Sequence, residues 1–139
     1  MPLRLRRRAV LFARYFGLLV KSWLLLLVVR ATLSVKGYTP VLEWIRSAAS
    51  TPRHNVPHTT IVWAIHHTAK VVPNATCLTR SLAMRYLLAQ SGEAATIQIG
   101  VKNDEDGKFK AHAWVVLNGE VLTGDTDDEI ASYKPLIAL

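Results

Sequence analysis

The hydrophobic pattern of this chain changes its period at Gly92, and that change limits the folds it can adopt. Before this glycine, apolar residues recur at helical spacing, whereas after it they alternate with polar or small residues. Residues 95–101 are predicted to form a half-buried strand, residues 109–117 a central strand, and residues 120–124 a third. An Asn-Gly dipeptide between the last two is a strong hairpin signal. The pattern predicts an α+β fold, with helices followed by an antiparallel β-meander.

Three helices are predicted ahead of the central segment. Residues 9–34 follow a basic cluster and form one long apolar helix, and residues 39–48 form a short helix with a proline near its start. Residues 50–57 have the composition of a loop. Residues 58–71 repeat apolar side chains at helical spacing until Pro73 ends the pattern.

Residues 73–92 contain the only cysteine of the chain, Cys77, at the start of a predicted helix. Asn74 or Thr76 can cap its N-terminus, and Gly92 can end it. Apolar residues lie on more than one side of this helix, which indicates that it is central in the domain. Unpaired amides and the helix dipole favour an anion in the first turn, so Cys77 is a candidate nucleophilic thiolate. The alternative is a small buried apolar residue without a chemical role.

Charge is distributed unevenly along the chain. The net charge is +7, and residues 1–42 contain eight basic residues and no acidic one, which leaves nine basic and ten acidic residues in the remainder. Because no basic cluster lies beside base-stacking or groove-entering elements, we expect no nucleic-acid partner. A single cysteine excludes an internal disulfide and a cysteine-rich zinc site, and it is consistent with a reducing, cytoplasmic setting.

The basic and apolar N-terminal segment, residues 1–38, is expected to be an association or docking element ahead of a catalytic domain of residues 39–139. Its longest charge-free run, from Ser22 to Val29, is much shorter than the ~20 residues that span a bilayer, so no membrane span is expected. Its apolar surface must be covered by the catalytic domain, a second copy, a partner protein or an anionic membrane surface.

The second predicted strand contains His112, which is the candidate partner of Cys77. A histidine among Ala, Trp and Val is more often a hydrogen-bonded core residue than a catalytic one. However, a cysteine at a helix start, a histidine in a strand and an acid after the next hairpin follow the order of thiol catalysis. Asp125 is the best candidate to orient the histidine. The weaker alternatives for this third role are Asp127, Asp128 and Asn118.

His66 and His67 are adjacent on the third predicted helix. Neighbouring helical residues point about 100° apart, so the two cannot share a metal ion, and no metal site is expected. We interpret them as surface or packing histidines, one of which could line the site.

Several segments together resemble one known family. They are residues 77–92, which begin Cys-Leu-Thr-Arg, the Ile-Gly-Val strand of residues 95–101, the Ala-His-Ala-Trp of residues 111–114, and residues 118–125. They resemble the leader peptidases of lasso peptide biosynthesis, of the McjB C-terminal type, within the transglutaminase-like cysteine protease superfamily. The resemblance extends over roughly residues 40–130.

This resemblance implies a papain- or transglutaminase-like fold with a Cys-His-Asp triad. Cys77 would be the nucleophile, His112 the base and Asp125 the orienting acid. The expected activity is removal of the leader peptide from a lasso precursor through an acyl-enzyme, with no cofactor. A separate leader-recognition protein would deliver the precursor, because residues 1–40 are too short and too helical to be that module. The core peptide would pass to an ATP-dependent lasso cyclase.

Two other function classes stay open on the sequence alone. A Cys-His acyltransferase of the transglutaminase or arylamine acetyltransferase kind would form the same acyl-enzyme and release it to an amine instead of water. A non-enzymatic protein of the membrane surface, in which Cys77 is merely buried, is the third. Thiol labelling separates the last class from both enzymes, since an inert buried cysteine reacts slowly.

Overall fold

The computed structural model describes residues 3–52, 56–73, 75–103, 105–123 and 130–139. Within these residues the helices come first and the strands follow, which confirms the predicted α+β class. The elements are α1 (Leu3–Arg14), α2 (Phe16–Val35), α3 (Thr39–Ser50), α4 (His58–Ala69), α5 (Cys77–Gln90), β1 (Thr96–Asn103), β2 (Phe109–Leu117), β3 (Glu120–Val121) and β4 (Lys134–Ala138).

The central helix is α5, which packs against α2, α3 and α4 and also against β1 and β2. Apolar side chains on more than one side of the helix allow this, as the sequence predicted. Leu82 and Leu88 are fully buried, and they belong to the same core cluster as Ile97 of β1 and Val115 of β2. The helix that begins with Cys77 is therefore held on several sides.

Both ends of α5 are fixed by local hydrogen bonds. At the start, the hydroxyl oxygen of Thr76 accepts from the N–H of Thr79 at 3.2 Å, which makes Thr76 the N-cap. At the end, Gly92 has φ +79°, and the N–H of Glu93 donates to the carbonyl of Leu88 at 2.9 Å. This is the Schellman arrangement, in which glycine readily adopts the left-handed conformation. The sequence predicted Gly92 and offered Thr76 as one of two caps.

The four described strands form one antiparallel sheet in the order β3-β2-β1-β4. β2 and β3 are joined by the predicted Asn-Gly hairpin, and Asn118 and Gly119 have φ +51° and +82°. The sequence did not predict β4. Its residues are exposed, and it contains Pro135, so it lacks the alternating pattern of a half-buried strand. It forms because the outer edge of β1 accepts it.

The prediction of one helix over residues 9–34 is wrong. α1 ends at Arg14 and α2 begins at Phe16, with Tyr15 between them at φ −105° and ψ 14°. The Tyr15 ring packs edge-on against Trp63 of α4, at 6.1 Å between ring centroids. This long-range contact holds Tyr15 outside the helix, which the local apolar pattern could not indicate.

One side of α2 belongs to the common core. Ser22, Leu26 and Val29 are fully buried, and the two apolar residues pack with side chains of α3, α4 and α5. The division into residues 1–38 and 39–139 stays a prediction. Through Leu26 and Val29, the first of these segments contributes to the core of the second.

Among the described helices, only α2 is long and apolar enough to cross a membrane by length and composition. Of the tested window, 22% is buried inside the protein. The absence of a membrane span therefore stays a prediction.

Candidate active site

Cys77 is the first residue of α5, half-buried and free of any disulfide. The N–H groups of the first helical turn have no carbonyl acceptor within the helix. The cap Thr76 serves two residues that follow: its side chain accepts from Thr79, and its carbonyl accepts from the N–H of Arg80 at 3.0 Å. The N–H groups of Cys77 and Leu78 lack such an acceptor in α5. They lie beside the thiol and can donate to an oxygen that becomes negative there.

Cys77 and His112 line the same cavity, which has a volume of about 420 Å³. They line one cavity because α5 packs on β2, the strand that carries His112. The other lining residues are Val62, Ile65, His66, Ala75, Arg80, Met84, Ala113, Leu122 and Thr123. Most of these are apolar, so the cavity presents a thiol, an imidazole and a few other polar groups within apolar walls.

The third predicted residue, Asp125, lies outside the described residues, as do the alternatives Asp127 and Asp128. The chain that leads to them is described. Leu122 donates its N–H to the carbonyl of Val115 at 2.9 Å, and Thr123 lines the cavity. Asp125 follows Thr123 by two positions, and its role stays a prediction.

Asn118, the remaining alternative, lies in the β2–β3 turn. A strand rises about 3.3 Å per residue, so Asn118 is roughly 20 Å along the chain direction from His112. It is too far away to orient the imidazole.

Aromatic rings and one glycine fix the surroundings of His112. Its ring stacks on Trp114 with centroids 5.9 Å apart, and it contacts Tyr133 at 5.4 Å. Gly100 of β1 pairs opposite His112, and a Cβ there would lie 2.7 Å from the Cβ of Tyr133 and 2.9 Å from Cη2 of Trp114. Only a residue without a side chain fits this position. The Ile-Gly-Val motif therefore makes room for the rings that pack against the histidine.

Three polar residues of the cavity wall, Arg80, His66 and Thr123, were not assigned to the site from the sequence. Arg80 lies three residues after Cys77, a spacing that brings helical residues to the same side. It adds a positive charge to the cavity wall, and a positive charge near a thiol favours the thiolate form. His66 of α4 also lines the cavity, which the sequence left open, whereas His67 packs against Trp63 at 5.2 Å.

Cys77, His66 and His112 share the cavity, yet among the described residues no group of three or more His, Cys, Asp or Glu side chains is arranged to hold a metal ion.

An α+β domain with a cysteine at a helix start and a histidine in the adjoining strand has the arrangement of thiol enzymes. A family model described as the transglutaminase-like superfamily matches residues 24–138, and the chain belongs to this superfamily. Its members are typically enzymes that act through a cysteine, and they include Cys-His-Asp proteases and acyltransferases. The comparisons with curated proteins and with solved structures gave no match.

Proposed function

We propose that this chain is a cysteine peptidase that removes the leader peptide from a ribosomally made lasso peptide precursor. The observation that carries the proposal is that Cys77 and His112 line one cavity of a transglutaminase-like domain. A volume of about 420 Å³ lies within the range of small-ligand sites, and mostly apolar walls suit the side chains of a bound peptide.

The motifs that carry the resemblance to lasso leader peptidases also support the proposal, because they adjoin one another in space. Cys77 and Arg80 of one motif share the cavity with His112 and Ala113 of another. Gly100 of the third motif pairs with His112 across the sheet. Segments far apart in sequence thus build one site.

In the first half of the reaction, the Cys77 thiolate attacks the carbonyl carbon of the scissile bond. A carbon–sulfur bond forms and the carbonyl oxygen becomes an oxyanion, to which the N–H groups of Cys77 and Leu78 donate. Protonated His112 gives its proton to the leaving nitrogen, and the carbon–nitrogen bond breaks. The core peptide leaves with a free amino group, and the leader stays bound to sulfur as a thioester.

In the second half, water attacks the thioester carbon while His112 accepts a proton from it. The carbon–sulfur bond breaks, the leader leaves as a carboxylic acid, and the Cys77 thiolate and His112 imidazolium are restored. Asp125 would orient the ring and stabilise its protonated form. These protein groups complete the reaction without a metal or organic cofactor.

The resemblance also supplies the expected partners. A separate leader-recognition protein would deliver the precursor, and an ATP-dependent lasso cyclase would receive the core peptide. A reduced thiol is required throughout, which favours the cytoplasm.

The test is to incubate the full chain with the precursor peptide and the recognition protein of the same gene cluster, and to follow the masses of the products. We expect a leader with a free carboxyl group and a core peptide with a free amino group. Cys77→Ala and His112→Ala should abolish cleavage. The control is His58→Ala, which removes a histidine of α4 that is not among the lining residues of the cavity.

Three results would overturn the proposal. Wild-type cleavage by Cys77→Ala would exclude the thiol mechanism. A leader–amine adduct as the main product in the presence of an added amine would identify an acyltransferase. Slow alkylation of Cys77 together with no cleavage would identify an inert buried cysteine.

A further inference from the structure

The outward side of α2 is apolar along the whole helix. Its exposed apolar residues are Phe16, Val20, Trp23, Leu24, Val28, Ala31 and Val35, which we call the apolar face of α2. Phe16 and Val35 at its two ends are 65% and 80% exposed. Spacings of three, four and seven residues keep these side chains on one side, and the 20 residues of α2 extend about 30 Å.

No charged residue interrupts this face. The charged residues within α2 are Lys21 and Arg30, and each lies roughly 90° around the helix from the centre of the face. Lys21 turns toward the protein, where its Nζ donates to Oε1 of Gln90 at 2.6 Å. A solvent-facing helix of a small domain ordinarily carries charges on this side.

The opposite side of α2 determines how the helix can meet a membrane. Leu26 and Val29 are fully buried in the core cluster. If α2 crossed a bilayer, both residues would have to leave that core. A helix that keeps its core contacts can offer only its outward face, and it then lies along a surface instead of crossing it.

Charge distinguishes a lipid surface from a second copy of the chain. α1 exposes Arg4, Arg6 and Arg7, and residues 1–42 contain no acidic residue. Two copies packed through α2 would bring together two basic segments, neither of which contains an acidic residue. Anionic headgroups supply the missing negative charge and adjoin an apolar layer.

Aromatic side chains at the face fit the same environment. Trp23 belongs to the apolar face of α2 and is 41% exposed. At the C-terminal end of α2, Trp44 of α3 lines a shallow cavity together with Ala31 and Val35. Tryptophan favours the boundary between the apolar layer and the headgroups, where its ring is buried and its N–H stays hydrated.

We propose that α2 is a peripheral membrane-binding helix, with its apolar face in the interface of an anionic bilayer and the arginines of α1 on the lipid headgroups. No residue of α2 lines the cavity of Cys77, so the lipid-binding surface and the catalytic cavity are separate. The proposal does not depend on which bond the enzyme cleaves.

The test is co-sedimentation of the full chain with vesicles of phosphatidylcholine alone and with vesicles that also contain phosphatidylglycerol. We expect binding to the second kind only, and release by high salt. The triple variant Arg4→Gln/Arg6→Gln/Arg7→Gln should weaken binding on the order of 100-fold, because each basic residue near an anionic surface strengthens binding about fivefold.

A second variant tests the apolar face, with a matched control. Val20→Gln/Leu24→Gln/Val28→Gln should weaken binding at least about tenfold. Phe109→Gln/Leu136→Gln changes two apolar residues of the sheet that are more exposed than those of the α2 variant, and it should bind as the wild type does. Circular dichroism of each variant establishes that it is folded.

Four results would overturn the proposal. The first two are equal binding to both kinds of vesicle and an equal loss of binding in the sheet control. The third is retention on membranes after high salt and alkaline extraction, which would indicate a spanning helix. The fourth is a dimer in light scattering that dissociates in the α2 variant, while the vesicles bind neither protein.

Discussion

Gly100→Ala should disturb the site although Gly100 does not line the cavity. The added Cβ would lie 2.7 Å from the Cβ of Tyr133 and 2.9 Å from Cη2 of Trp114. The first atom is attached directly to the backbone, so β1 or the chain at Tyr133 must move. Overpacking of this kind costs about 1–3 kcal/mol of the free energy of unfolding. Since both rings contact His112, a shift of the order of 1 Å there should also lower the cleavage rate up to about 100-fold.

Urea unfolding and the cleavage assay measure the two effects, and Gly17→Ala is the matched control. No atom lies within 4 Å of a Cβ built on Gly17, which is in α2. Alanine there removes a weak helix former and should raise the free energy of unfolding by up to about 1 kcal/mol. The same Gly→Ala substitution should thus lower the free energy of unfolding at position 100 and raise it at position 17. A Gly100→Ala protein as stable and as active as the wild type would refute the reasoning.

Further predictions concern the triad, the helix cap and a partly buried amine. Asp125→Ala should lower the cleavage rate less than Cys77→Ala does, by a factor in the range of about 10²–10⁴ that is typical of a lost base or orienting group. Single-turnover kinetics of the two variants would measure this difference. Thr76→Ala should lower the free energy of unfolding by about 1 kcal/mol, whereas Thr76→Ser should retain it, as urea titration can measure. Burial lowers the pKa of Lys21 from 10.5, so the charged form is disfavoured in the folded state. The wild type should therefore gain stability relative to Lys21→Met as the pH rises toward 10.5, in alkaline urea titrations.

Local patterns were sufficient for much of the fold. The second strand was predicted as residues 109–117, which are the bounds of β2, because the polar turn of residues 103–108 precedes it and the Asn-Gly turn follows it. The caps of α5 could be read for the same reason, since Thr76 and Gly92 act on neighbouring backbone groups.

Features that depend on distant contacts could not be read from the sequence. The break at Tyr15 follows from its contact with Trp63, and β4 forms on an edge that β1 provides. The order of element types predicted that Cys77 and His112 belong together, and they do line one cavity. Tyr133 was missed, because no sequence spacing links this residue to the histidine on β2.

The assembly of the cavity from two locally formed units has a consequence for how activity is lost. α5 and the β1–β2 hairpin each form through nearby sequence, and Cys77 and His112 come to line one cavity only where the helix docks on the sheet. A sub-global opening that separates the two units can leave both intact. Mild denaturant should then abolish cleavage while the far-ultraviolet helix signal persists, so that catalysis reports on the docking of α5 more sensitively than secondary structure does.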